Sequence, residues 1–175
     1  VKQVYAGKYV DCLTLCQDNF LTRVLSLPQD PESSQTMNRL RVLTGHLPQA
    51  ANECVVDEKI QYKYHFELGQ TISLGSADPL DDLENSLENT EYTIVGIVNS
   101  PMYLDMTRRG STTVGDGSLD AYLYVPEENF TAEYYTELYV TAEGSGDLNC
   151  YTEEYDNLAA ALKTALEPVG EARGE

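Results

Sequence analysis

The sequence predicts an α+β fold built on a mixed, largely antiparallel sheet with a packed C-terminal helix and an inserted β-rich subdomain. Three observations carry this reading. Short apolar, β-branched runs outnumber helical patterns, strands and helices do not alternate regularly as a βαβ series would, and one long stretch near the C-terminus repeats its apolar residues at three and four. The chain has 175 residues. That length fits one domain, or one domain carrying a subdomain, and a fold of this size buries roughly 70% of its unfolded surface.

Residues 9–15 (YVDCLTL) and 20–27 (FLTRVLSL) are rich in apolar and β-branched residues and flank a polar QDN turn, so they predict a hairpin. Pro28, Pro31 and the SSQT cluster then form a loop or short helical turn that ends at residues 40–43. After a turn at Gly45 comes a short apolar segment, 54–56, and an amphipathic helix of one to two turns from about Asp57. Asp57 suits its N-cap, because a carboxylate there accepts from the backbone donors that a helix start leaves free. Gly69 suits the turn into a strand at 70–74, and residues 92–98 (YTIVGIV) give another. The intervening GSADPLDDLENSLENTE is acidic and poor in periodic apolar residues, and predicts an exposed excursion. A loop of about 20 residues follows, 99–119, of a length that compact domains mostly reserve for function or leave disordered. Strands at 120–125 and 136–142 come next, separated by the turn PEENF. The last element is the clearest helix: Tyr155, Leu158, Ala159, Leu162, Ala165 and Leu166 form one apolar stripe. Thr152 suits its N-cap, Glu153 and Glu154 favour its first turn, and Pro168 is expected to bend or end it.

Composition removes several classes of function. Eleven Lys and Arg against 29 Asp and Glu give a formal charge of -18, which repels phosphate backbones and anionic bilayers; nucleic acid is not an expected partner. With 42% hydrophobic residues the chain folds despite that charge. No window is apolar for the 18 or more residues of a membrane span, and VKQVYAGKYV lacks the shape of a signal peptide. Cys12, Cys16, Cys54 and Cys150 do not follow a zinc spacing. If their segment is a strand, Cys12 and Cys16 share a face about 13 Å apart, too far for a disulfide. A bridge from either to Cys54 or Cys150 stays open outside the cytoplasm, as does the reading of all four as small apolar residues.

Nucleophilic catalysis needs a Ser or Cys beside a base. The histidines are His46 and His65, and neither has a G-x-S-x-G or papain-type context nearby; both read as surface or satisfied structural residues. Carboxylate pairs can be drawn anywhere in so acidic a chain and therefore select nothing. DGSLD at 116–120, with Glu127, places oxygens at several EF-hand positions, but Ala121 stands where that loop needs glycine and YLYV predicts a strand. An irregular calcium site in the 78–91 excursion is the alternative to a solvated acidic loop. No G-x-x-x-x-G-K-[ST] occurs, so no ATP site is expected in this chain. Asn129 to Thr131 forms a glycosylation sequon that would matter only in a eukaryotic secretory setting. No catalytic residue, cofactor or metal ligand is assigned.

Thirteen tyrosines and no tryptophan suit half-buried strands. A recognition surface is expected on the long loop, where Met102, Tyr103, Leu104, Met106, Arg108 and Arg109 combine adaptable apolar groups with two of the few cations. The competing reading is that Tyr103 and Leu104 pack the loop onto the sheet.

Residues 45–98 read GHLPQAANECVVDEKIQYKYHFELGQTISL, an acidic loop, then EYTIVGIV. With YLYVP at 122–126 and ELYVTAEG at 137–144, this order resembles the extracytoplasmic domain of FtsX-like ABC transporter permeases, also called the MacB-type periplasmic core. At 45–46 the chain has Gly45 and His46 where that family carries a Gly-Arg-like turn. The resemblance implies a non-catalytic part of a membrane machine. It implies a porter-like half, 1–45 with 119–167, and a smaller inserted β-rich half, 46–118. It further implies transmembrane helices on both sides of this stretch, a cytoplasmic ABC ATPase engaged through them, a place at the cell membrane on its extracytoplasmic side, and coupling of ATP hydrolysis to transport or to an extracellular protein or peptide. The alternative is a secreted or cell-wall-attached module that holds a ligand or calcium. A secreted hydrolase would need His46 or His65 in a cleft against a nucleophile.

Overall fold

The computed structural model describes residues 1–80, 82–105, 107 and 109–171, with side chains through residue 169. The chain gathers into two compact units, Gly7–Glu137 and Val1–Ala6 with the stretch from Leu138.

In the first unit β2 (Tyr9–Leu15) and β3 (Phe20–Ser26) form the expected hairpin, with Cys12 opposite Thr22. From there the pairings close on themselves. β3 lies parallel to β8 (Ala121–Val125), β8 antiparallel to β5 (Glu53–Asp57), and β5 parallel to β7 (Glu91–Asn99). β7 is antiparallel to β6 (Thr71–Ser76), and β6 antiparallel to β2. Six strands thus make a ring, so the barrel they enclose has few free backbone groups to satisfy elsewhere. The β5–β8 pairing joins the 46–118 stretch directly to the chain that follows it.

β7 divides one of its edges between two partners: residues 91–93 pair with β6, and residues 96–99 with β4 (Arg41–Gly45). Where the partner changes, the backbones nearly touch. A Cβ on Gly45 would sit 2.1 Å from the Val95 carbonyl oxygen, and one on Gly96 2.4 Å from that of His46. Gly45 also has φ +80°, which glycine adopts at little cost. The Gly45 and His46 turn is therefore fixed by its glycine.

Burial follows the two-residue period of the strands. In β8, Ala121, Leu123 and Val125 point into the barrel core with Val24, Cys54 and Ile94. Tyr122 and Tyr124 join Leu25, Val55 and Val98 in a second cluster on the other side. Covered on both faces, AYLYV carries no charged residue, and its only polar side-chain atoms are the two tyrosine hydroxyls. Inside the barrel the Thr14 and Thr22 hydroxyls satisfy each other at 2.7 Å. α1 (Glu58–Tyr64) starts as expected, with Asp57 Oδ1 accepting from the Lys59 amide at 3.0 Å. It ends at His65, φ +61°, whose N–H donates to the Gln61 carbonyl, while the Phe66 N–H donates to that of Ile60. Ile60 is buried in the barrel core, and Tyr64 stacks on Phe20 with centroids 3.6 Å apart.

The acidic stretch after β6 departs from expectation. Leu83 and Leu87 leave it to enter the barrel core, and a short 3-10 turn, Leu83–Asn85, capped by Asp82, carries them. Leu87 bridges to Phe130, while Leu80 stays outside. Two leucines one helical turn apart are too few to register as periodicity. Asn129 of the sequon is buried: its amide donates to the Ala51 and Pro126 carbonyls and accepts from Asn89. A glycan has no access to it.

All four cysteines are free; Cys12 and Cys54 are buried, and burial pushes both thiols far up from their ordinary range. Thiolate supply and access then act together. At neutral pH iodoacetamide should label two thiols in the native chain, Cys16 and Cys150, and four after denaturation, counted by intact mass. Rapid native labelling of a third would contradict the buried assignment.

In the second unit β1 (Gln3–Gly7), which the sequence did not announce, pairs with β9 (Glu137–Thr141). Tyr5 stacks on Tyr139 at 5.9 Å. α2 (Glu153–Glu171) turns Tyr155, Leu158, Leu162 and Leu166 toward Leu138 and Val140 of β9 across a groove of about 320 Å³. The stripe is half-buried, and Ala159 and Ala165 are exposed. Two expectations about this helix need correction. The Thr152 hydroxyl donates back to the Asn149 carbonyl at 2.7 Å, leaving the first turn uncapped by it. Pro168 lies within the helix, which continues to Glu171; a proline so near the C-terminus removes one N–H donor without enough helix beyond it to break.

Candidate functional site: the strap between β7 and β8

The long loop after β7 is a strap whose described residues are fixed at three points. Its start is held by the two β8 tyrosines that face the outer cluster. The Ser100 amide donates to Tyr122 Oη at 3.0 Å, and Ser100 Oγ lies 3.0 Å from Tyr124 Oη. Tyr103 stacks on Tyr122 with centroids 4.4 Å apart and planes 15° apart, and Tyr124 meets Tyr122 edge-on at 5.9 Å. Burial raises the Tyr103 hydroxyl to about 12 against the opposing pull of Arg23, so the stack is neutral at physiological pH.

Arg109 makes the second fixing. Its Nε and Nη2 donate to Asp57 Oδ2 and Oδ1 at 2.6 and 2.9 Å, and its Nη1 to the Asp105 carbonyl. Both side chains are inaccessible, at 1% and 0% exposed, and the guanidinium carbon lies 5.5 Å from the Tyr122 ring centre. Burial opposes the Arg109 charge, but the hydrogen bonds and field of Asp57 outweigh it and hold the group above its ordinary value. Asp57 therefore has two tasks: it caps α1 through Oδ1 and receives the strap through both oxygens.

Arg23 on β3 makes the third. It forms a two-pronged pair with Asp11, both bonds 2.7 Å, and its Nη2 donates to the Ser111 carbonyl at 3.2 Å. Tyr9 lies under it at 4.1 Å. Beyond Ser111 the strap folds on itself: Ser111 bridges Ser118, and the Thr112 amide donates to Gly117. Gly115 has φ +60°, and a Cβ there would stand 2.6 Å from Leu21 Cδ1.

These placements redistribute the expected surface residues. Leu104 is 83% exposed at the crest. Met102 and Tyr103 are half-buried beneath it, with Tyr103 packed against the outer cluster. Met106 and Arg108 lie outside the described residues. Arg109 is no surface cation; a buried carboxylate takes its charge and burial removes it from any partner. Asp57, Tyr122 and Arg23 were not recognised from sequence as parts of this site. Their partners are 52, 19 and 88 positions away, beyond local patterning.

His46 Nδ1 is bonded to the Leu47 carbonyl, and His65 is an exposed helix cap. Asp116 accepts from the Ser118 amide, and Asp120 from the Leu21 amide while facing Lys63. Among the described residues no three His, Cys, Asp or Glu side chains group as metal ligands.

Residues 17–158 match the family model of the MacB-like periplasmic core domain. Two solved structures are similar. The extracellular domain of the noncanonical ABC-type transporter YknZ from Gram-positive bacteria is 12% identical with TM-score 0.46, over 84% of this chain and 68% of that one. A domain assigned to a permease protein from Porphyromonas gingivalis is 14% identical with TM-score 0.40, over 72% of this chain and 50% of that one. No curated protein matches the chain.

Proposed function

The chain belongs to the MacB-like periplasmic core domain family, and from that we infer that it is the extracytoplasmic, non-catalytic module of an FtsX-like ABC transporter permease. Membrane-spanning helices on either side connect it to a cytoplasmic ABC ATPase. ATP-driven movement of those helices is passed through this module to transport or to an extracellular protein or peptide. The family match over residues 17–158 is the observation that carries this reading. The ring of six strands supports it, since a body that passes on displacement must resist deforming. Among the described residues no helix is long and apolar enough to cross a membrane, so the spans belong to the rest of the permease. The crest of the strap, with Leu104 at its tip, is the face offered to the extracytoplasmic partner.

The membrane topology of the full-length protein tests this. We expect apolar spans of about 20 residues on both sides of the domain, with the domain itself open to a membrane-impermeant label in intact cells. An export signal with a cell-wall anchor in their place would reject the permease and favour a wall-attached binding module.

A further inference from the structure

We propose that the free edge of β4 is a docking edge that takes an extended, acidic segment of a partner protein as an added strand. β4 is bonded to β7 along one side and, among the described residues, to no strand along the other, and all five of its residues are exposed. Such an edge presents unpaired backbone donors and acceptors in a row. Proteins blunt such edges, and here the register shift between Val42 and Thr44 does so at Leu43. Ahead of it, Arg41 and Val42 keep that edge open, with Arg39 and Leu40 leading into the strand.

Charge selects the occupant. The molecule carries -18, and five of its other cations are answered from within: Lys8 by Glu127, Arg23 by Asp11, Lys63 by Asp120, Arg109 by Asp57 and Lys163 by Glu167. Arg39 and Arg41 are exposed and make no ion pair among the described residues. They stand two positions apart, on either side of buried Leu40. An added strand with carboxylates at alternate positions would set each opposite an arginine. Both arginines also line, with Leu40, Val42 and Leu47, an open trough of about 680 Å³, in which the apolar residues of the segment would lie. Glu32 also lines that trough, which disfavours carboxylates at every position and favours alternation of acidic with apolar residues. A second copy of this chain fits poorly, because two bodies of -18 repel over their whole surfaces, whereas a short acidic segment meets that field with only a few charges.

The inference rests on the β4 edge alone and not on the permease reading, so either can fail without the other. The test uses a fluorescein-labelled peptide alternating Glu with Val, and its counterpart with Lys for Glu, titrated into the 175-residue chain. The Glu peptide should bind, weaken with added salt, and raise hydrogen-exchange protection in β4. Arg39→Glu with Arg41→Glu should weaken binding by about tenfold or more while circular dichroism stays unchanged. Arg39→Gln with Arg41→Gln should give an intermediate loss. No binding of the Glu peptide, equal binding of the Lys peptide, or protection outside β4 would overturn the proposal. So would arginine-dependent dimerisation in sedimentation, or arginine-dependent binding to phosphatidylglycerol vesicles in place of the peptide.

Discussion

Arg109→Met is expected to destabilise the chain by about 3–5 kcal/mol, because it strands the Asp57 carboxylate in a site that water does not reach. Asp57→Ala should cost at least as much: it leaves the guanidinium unpaired and also removes the cap of α1, a further loss of about 0.5–2 kcal/mol. The pair spans 52 positions and closes the strap over the end of β5, so its loss frees the strap and weakens the helix start together. Replacing both side chains, Asp57→Asn with Arg109→Met, should cost less than the sum of the single losses, since no unpaired charge remains. Urea unfolding reads these changes as lower midpoints at constant slope. Lys163→Ala is the control: its pair with Glu167 is exposed on α2, and its removal should cost below about 1 kcal/mol. An Arg109→Met loss no larger than that control would show that the strap is not held as described.

Leu87→Ala is expected to cost about 2–5 kcal/mol, the range for emptying a buried leucine site. The side chain is 1% exposed and packs in the barrel core from a stretch of sequence whose neighbours are nearly all polar. Leu80→Ala, seven positions earlier and 96% exposed, should stay within about 0.5 kcal/mol of the parent. The contrast matters more than either value. Equal, small losses would mean that residues 83–87 are a surface excursion after all, and that the barrel core closes without them.

The elements legible in the sequence are those specified by neighbours. Alternation around QDN gave the first hairpin, Asp57 announced α1, and the stripe from Tyr155 to Leu166 announced α2. Closure of the ring was not legible, because it depends on β7 offering one edge to β6 and then to β4, a change marked only by Gly45 and Gly96. The short strand β1 was missed because its partner, β9, lies at the opposite end of the sequence. The strap was legible as a long loop with unusual residues and not as a clasp. Arg109 looks the same in sequence whether it meets a partner or Asp57; only the fold decides, and it chose Asp57. Leu104 remains as the exposed apolar tip of the strap, which makes Leu104→Ser the substitution that probes the crest without disturbing its anchors.

The proposed movement of this domain as the outer part of an ATP-driven permease is a displacement that can be measured. Its most direct test is a spin label at Leu104→Cys, with the exposed Cys16 and Cys150 replaced by serine, in the full-length permease reconstituted with its ATPase in lipid nanodiscs. Pulsed electron paramagnetic resonance then measures the distance from that label to labelled lipid headgroups without nucleotide and in an ATP-trapped state. The distribution should shift between the two states, and should not shift with an ATPase unable to bind ATP. Identical distributions in a complex that hydrolyses ATP would contradict the account.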